Sequence, residues 1–319
     1  MNRCLIACSV LVLSTFGALR AQEVDPNLPS YKPVSGISGQ SLKTVGSDTM
    51  NNMVGYWTEE FCKMYPGVKR EVDGKGSSNA IPALASGQAT FGPMSREPKK
   101  SEIAAFSEKF NYEPVILPTS IDMLAVYVNK NNPVEGLSFP EIDAIFSSTR
   151  KGGASKRAEN WSQLKGKSMP IICYGRNAAS GTYGYFKKVV LGDGDYGNWV
   201  NEMAGSAPVV QSVGKNLGGI GYSGIGYRTA DVKPLALSVQ RGGKLIPPEA
   251  EYAYSGQYPL SRFLYLAVNY DKRKGLDPMQ REFLKYVFSK QGQEQVVKDG
   301  YLPVSAEIAK EALASVGIK

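Results

Sequence analysis

The sequence predicts an α/β protein of two interleaved domains, and three observations carry that reading. Strand-like and helix-like segments alternate along most of the 319 residues, a length sufficient for two ordinary cores. Four short Gly- and Ser-rich segments stand where a strand hands over to a helix. They read Gly46-Ser47-Asp48-Thr49-Met50, Gly74-Lys75-Gly76-Ser77-Ser78-Asn79, Gly92-Pro93-Met94-Ser95-Arg96 and Gly175-Arg176-Asn177-Ala178-Ala179-Ser180-Gly181-Thr182. No linker-like stretch divides the chain once, so it is expected to cross from one domain to the other and back.

At the N-terminus, Met1-Asn2-Arg3 and the apolar run from Leu5 to Leu19 read as a secretory signal peptide over 1–21. The run is too short to span a membrane convincingly. Cleavage is expected after Ala21, with Ala18 as the alternative. Leu5-Ile6-Ala7-Cys8 resembles a lipoprotein site but lies at the start of the apolar run instead of after it, which favours a soluble exported protein. Processing removes Arg3 and Arg20 and no acid, lowering the formal charge of +8 by two. It also removes Cys4 and Cys8, leaving Cys62 and Cys173 as two expected buried free thiols. Residues 22–40, rich in Pro, Ser and Gly, are expected to form a flexible leader.

From Leu42 a short strand enters the first turn. Met50, Met53, Val54, Trp57, Phe61 and Met64 then recur at helical spacing until Tyr65-Pro66-Gly67 stops them. A strand at 68–72 feeds the second turn and a helix carrying Ile81, Leu84 and Ala85, with Pro82 tolerated in its first turn. A strand at 89–92 feeds the third, followed by a helix with Ile103, Phe106 and Phe110. Residues 115–117 and 123–128 read as separate strands, and 139–146 as a helix. The basic stretch Lys151–Arg157 reads as a solvated loop. A strand at 170–173 leads into the fourth turn and a helix at 183–190. Gly218–Tyr227 reads as tight turns around a close-packed strand, 263–268 as a returning strand, and 279–297 as one amphipathic helix.

Each turn places unpaired backbone N–H groups and the positive end of a helix dipole at one point, an arrangement that binds anions. Small residues allow close backbone approach, hydroxyls add rotatable donors, and Arg96 and Arg176 add permanent cations. Four such turns suit a small dehydrated oxyanion. Histidine is absent, which excludes Ser-His-Asp and Cys-His hydrolases and His-liganded zinc. The positive charge is dispersed, without the Lys/Arg runs that mark nucleic-acid binding.

These residues resemble the phosphate-binding subunit of bacterial phosphate ABC transporters, a family of periplasmic binding proteins. The similarity runs from Leu42 to about Val304. It includes Ile142–Ser147 with Trp161 downstream, Pro259-Leu260-Ser261-Arg262 and the Ser289–Glu294 segment. The resemblance implies a type II two-lobed fold, with lobe 1 formed by 41–125 and 258–319 and lobe 2 by 126–257. It further implies a monomer in the periplasm that binds inorganic phosphate without metal, cofactor or covalent step, and delivers it to an inner-membrane permease. Carried over by position, Asp48, Thr49, Ser77, Ser95, Arg96, Arg176, Ser180, Gly181 and Thr182 line the anion. One departure stands out. The family commonly places an aspartate in the third turn to accept the hydrogen of protonated phosphate, where this chain has Ser95. Asp48 is therefore expected to take over as acceptor, with Arg96 as a second counter-charge.

Plainer roles compete at three positions. Asp48 suits a helix N-cap, Ser77 or Ser78 can cap the next helix, and Arg96 can pair with Glu97 or Glu102. Asp122, beside an apolar strand, suits a structural ion pair or hinge. Tyr183, Tyr185, Tyr222 and Tyr227 suit packing. A different oxyanion (sulfate, molybdate or tungstate) and a phosphate-ester hydrolase using Asp48 as nucleophile are the rival functions.

Overall fold

A computed structural model describes residues 23–319 of the chain. The expected signal peptide, with Cys4 and Cys8, lies outside the described residues. The first part of the chain forms β1 (Ser41–Val45), α1 (Asn51–Met64), β2 (Lys69–Asp73), α2 (Ala80–Ser86), β3 (Gly92–Met94), α3 (Lys100–Phe110) and β4 (Val115–Asn129). The middle forms β5 (Gly136–Ser138), α4 (Phe139–Phe146), β6 (Ile172–Arg176), α5 (Gly181–Val189), β7 (Asn201–Met203), α6 (Ser206–Lys215) and β8 (Gly219–Gly224). After β9 (Val232–Pro234), β10 (Ala236–Ser238) and α7 (Ala250–Tyr254) the chain returns through β11 (Ser261–Val268), α8 (Pro278–Val287), α9 (Lys290–Lys298), β12 (Leu302–Pro303) and α10 (Ala306–Ser315).

One long strand organises these elements. β4 pairs with β11 over Val115–Met123 and with β8 over Leu124–Val128, both antiparallel, so a single strand runs from one half of the molecule into the other. Parallel pairs then extend the sheet from β8 to β6 and from β6 to β7. Two strands were expected where β4 is continuous. Pro118, which lacks an N–H, lies within the continuous strand. A register shift between Leu264 and Tyr265 on β11, opposite Pro118, carries the ladder past it.

Two apolar cores flank this strand. The first gathers Trp57, Phe61, Phe91, Phe283 and Tyr286. The second gathers Phe146, Trp161, Phe186, Tyr222 and Tyr258, together with Met123, Leu124, Leu260 and Leu302 at the crossings. Each buried tryptophan satisfies its indole N–H on a glycine carbonyl, Trp57 on Gly292 at 2.7 Å and Trp161 on Gly218 at 3.0 Å. Phe186 stacks on Tyr222 with ring centroids 4.0 Å apart, which fixes α5 against the sheet.

Three expectations are corrected. The helix expected over 279–297 is two helices, because Ser289 leaves helical geometry and caps α9 by accepting from the Gly292 amide at 3.2 Å. The leader is not loose: Leu28 and Tyr31 are buried in the first core, and Asp25 accepts from the Ala306 amide at the start of α10 at 2.8 Å. Tyr31 hydroxyl also donates to Glu282 at 3.0 Å, and its backbone exchanges hydrogen bonds with the Gln291 side chain. The two thiols are free, but Cys62 is half-buried where Cys173 is fully buried.

Leu28→Ala should therefore cost about 2–4 kcal/mol in urea unfolding, as for a core leucine and unlike a tail residue. A second test concerns Asp299, whose burial, with Oδ2 unpartnered, pushes its carboxyl up to about 7 despite help from Asn52 and the Met53 amide. The folded state thus holds this proton more tightly than the unfolded chain. Its contribution is full below pH ~4 and is lost as pH rises through about 7. Asp299→Asn should flatten that loss when unfolding is compared at pH 5 and pH 8.

Candidate functional site

The four turns meet at Gly181 and Thr182, the first residues of α5. Thr182 Oγ1 lies 2.8 Å from Thr49 Oγ1 of the first turn and accepts from Arg262 Nη2 at 2.9 Å. A Cβ added at Gly181 would meet Ser77 Oγ of the second turn and Ser95 Oγ of the third, so glycine is required for this approach. Ser77 Oγ in turn accepts from the Ser95 amide at 3.0 Å. Gly76 adopts φ +105°, and a Cβ there would lie 2.6 Å from the Ala179 carbonyl. The Ser78 amide donates to that same carbonyl at 3.1 Å.

Donors are abundant at this point. The amides of Asp48, Thr49, Ser77, Gly181 and Thr182 stand at helix starts and have no acceptor among the described residues. Ser180 caps α5 by accepting from the Tyr183 amide at 3.3 Å. Ser77, Thr49 and Thr182 are fully buried, and Arg176 is 2% exposed. Arg176 Nε is a buried donor without a partner, while Nη1 donates to Ser206 Oγ at 2.7 Å and pairs with Asp48 at 3.2 Å. Burial pulls the Arg176 pKa down and the Asp48 carboxylate opposes it, leaving a cation, as arginine remains in proteins.

Asp48 does not cap its own helix. Its Oδ2 reaches across to the other half of the molecule and accepts from the Ser206 amide at the start of α6 at 2.8 Å. Its Oδ1 has no hydrogen-bond partner among the described residues. The tyrosines expected to pack also carry polar contacts. Tyr227 hydroxyl donates to the Asp48 carbonyl at 2.8 Å and Tyr222 hydroxyl accepts from the Arg176 amide at 3.2 Å; Tyr301, outside that set, donates to the Thr49 carbonyl at 2.8 Å.

Arg96 is placed otherwise than as a counter-charge. Its guanidinium meets Glu102 in two bonds of 2.8 and 2.6 Å and donates to Ser78 Oγ at 3.1 Å. Burial pushes the Glu102 carboxyl up, but Arg96 and the Lys99 amide outweigh it and hold it below its ordinary range. The second arginine at the cluster is Arg262, missed by the sequence reading as a site residue. It donates to Asp122 from both Nε (3.0 Å) and Nη2 (2.7 Å), and from Nη1 to the Ser95 carbonyl at 2.6 Å. The signal for it was present in Ser261-Arg262 at the head of an apolar strand, opposite the apolar strand that carries Asp122.

A closed nest of helix starts between two α/β halves joined by a shared strand defines a periplasmic-binding-protein fold of type II. The family model for the PBP superfamily domain matches residues 32–291. The phosphate-binding protein PstS of Pseudomonas aeruginosa is 46% identical over 319 aligned residues, covering 98% of each chain. PstS of Bacillus subtilis is 27% identical, covering 88% of this chain and 85% of its own. Among solved structures, a phosphate ABC transporter substrate-binding protein with bound phosphate from Clostridium perfringens superposes with a TM-score of 0.70 at 23% identity. It covers 83% of this chain and is itself matched over 100% of its length. A phosphate transport receptor from Vibrio cholerae gives 0.65 at 22%, covering 82% of this chain and 100% of its own. The chain belongs to the PBP superfamily and, within it, to the family of the PstS substrate-binding proteins.

Asp122 is fully buried and Arg262 4% exposed in its side chain, so deleting one partner strands a charge. Asp122→Ala should lower unfolding free energy by about 3–5 kcal/mol, read from denaturant midpoints.

Proposed function

We propose that this protein captures inorganic phosphate in the periplasm and delivers it to an inner-membrane ABC permease. The observation that carries this reading is the convergence at Gly181 and Thr182 of three helix starts, those of the first, second and fourth turns, whose amides have no acceptor among the described residues. The third turn, expected to open a helix as well, reaches the same point through Ser95 instead, α3 starting only at Lys100. The names and the bound phosphate of the relatives support the choice of anion. In this reading the lobes 41–125 with 258–319, and 126–257, close as a monomer on the ligand, bending at β4 and β11. Asp48, Thr49, Ser77, Gly181 and Thr182 donate amides, Ser77, Ser95 and Thr182 add hydroxyls, Ser180 holds the α5 start, and Arg176 supplies the charge. Arg262 takes the place first given to Arg96, which serves to brace the third turn through Glu102.

Asp48 Oδ1 then accepts the hydrogen of a protonated phosphate. A carboxylate facing P–OH gains a charge-assisted hydrogen bond, whereas facing fully deprotonated sulfate it meets only repulsion. The site discriminates by this proton, replacing the aspartate that the family keeps where Ser95 stands.

Calorimetric titration of phosphate-stripped protein tests both parts. The native protein should bind phosphate and give no heat with sulfate, and Asp48→Asn should narrow that preference by about 10–100-fold. Sulfate binding by the native protein overturns the phosphate assignment, and unchanged discrimination in Asp48→Asn overturns the acceptor role. Arg176→Ala should weaken phosphate binding by at least about 10-fold.

A further inference from the structure

We infer that Gly205 and Ser206, at the start of α6, form an interlobe lock that sets how long the closed state lasts. The inference rests on the binding reading above. Gly205 and Ser206 stand outside the four turns, and neither belongs to the set of anion donors. Their contacts nonetheless join the two halves. The Ser206 amide donates to Asp48 Oδ2 at 2.8 Å, and Ser206 Oγ accepts from Arg176 Nη1 at 2.7 Å. Arg176 itself pairs with the same Asp48 oxygen at 3.2 Å. Asp48 comes from the first lobe, whereas Arg176 and Ser206 come from the second. Three groups therefore close a ring across the cleft beside the anion nest.

The lock has a favourable electrostatic setting. α6 runs for ten residues, Ser206–Lys215, and its positive end faces the Asp48 carboxylate. Ser206 is fully buried, so water does not compete for the bond once the lobes meet. α6 is anchored in the second lobe by Val209, Val210 and Val213, which pack with Tyr127 and Tyr174. Pulling Asp48 away from α6 thus separates the lobes and does not merely shift a side chain.

Gly205 is the part of the lock that permits contact. A Cβ there would lie 2.9 Å from Asp48 Oδ1, closer than such atoms approach. Its φ is −147°, extended backbone open to any residue, so alanine would fit α6 and its own lobe without strain. The obstruction exists only against the opposite lobe. An added methyl should leave each lobe folded and push back the Asp48 carboxylate or the lobe that carries it, loosening the bonds that Oδ2 makes to Ser206 and Arg176.

Stopped-flow association and dissociation of inorganic phosphate, with calorimetry and urea unfolding alongside, provide the test. Gly205→Ala should raise the dissociation rate on the order of 10-fold, leave the association rate within about twofold, and keep the phosphate-free unfolding midpoint. Ser206→Ala, which keeps the amide and loses the hydroxyl, should shift dissociation in the same direction by less. In an Asp48→Ala background, Gly205→Ala should have no further effect, because the carboxylate it obstructs is gone. A native dissociation rate in Gly205→Ala, or an undiminished effect in the Asp48→Ala background, overturns the lock while phosphate binding stands. Failure of the native protein to bind phosphate overturns the binding reading and the lock with it.

Discussion

The Asp122–Arg262 ion pair is the interaction on which the rest of this site depends. Asp122 sits on β4 and Arg262 on β11, so the pair joins the two strands where they pass between the cores. Taking both charges out of water costs several kcal/mol, and the attraction offsets this only because other bonds complete the guanidinium. Those other bonds are to the Ser95 carbonyl and Thr182 Oγ1, which belong to the third and fourth turns. The pair thereby fixes where two of the four Gly- and Ser-rich turns lie relative to the strand crossing. Asp122 Oδ1 also accepts from the Ile225 amide at 3.1 Å, extending the same anchor to the end of β8.

Charge at the site comes in matched pairs. Arg262 is balanced by Asp122 and Arg176 by Asp48, and the more distant Arg96 by Glu102. At the proposed site an incoming anion would therefore meet oriented amides and hydroxyls more than net positive charge. Such donors are directional and buried, so salt screens them little, and they reward the right shape and proton count. A chain of formal charge +8 thus places little uncompensated charge where its turns meet.

Much of this was legible in the sequence because it is local. Gly-Ser turns announce helix starts, Met50 to Met64 announces a helix by spacing, and Arg176 to Thr182 announces a donor set within seven residues. What was not legible depends on residues far apart in the chain. Arg262 acquires its role from Asp122, 140 residues away. Asp48 reads as a cap from its own neighbourhood, and it does cap a helix, but one that begins 158 residues later. Leu28 and Tyr31 stand singly among polar residues, with no period to reveal that they reach the core. The break between α8 and α9 turned on one hydroxyl, Ser289, within an otherwise amphipathic run.

The continuity of β4 has a mechanical consequence. Two lobes joined by loops can swing like a door, with the rotation confined to a few torsions. Here the joining element is hydrogen-bonded on both sides of the crossing, to β11 before Met123 and to β8 after it. A sharp fold would break that ladder, so any change of angle must be spread as twist along the strands, as in a leaf spring. In the closure proposed above, such a part would store a restoring force across its travel and draw the lobes back toward one preferred angle when the anion leaves.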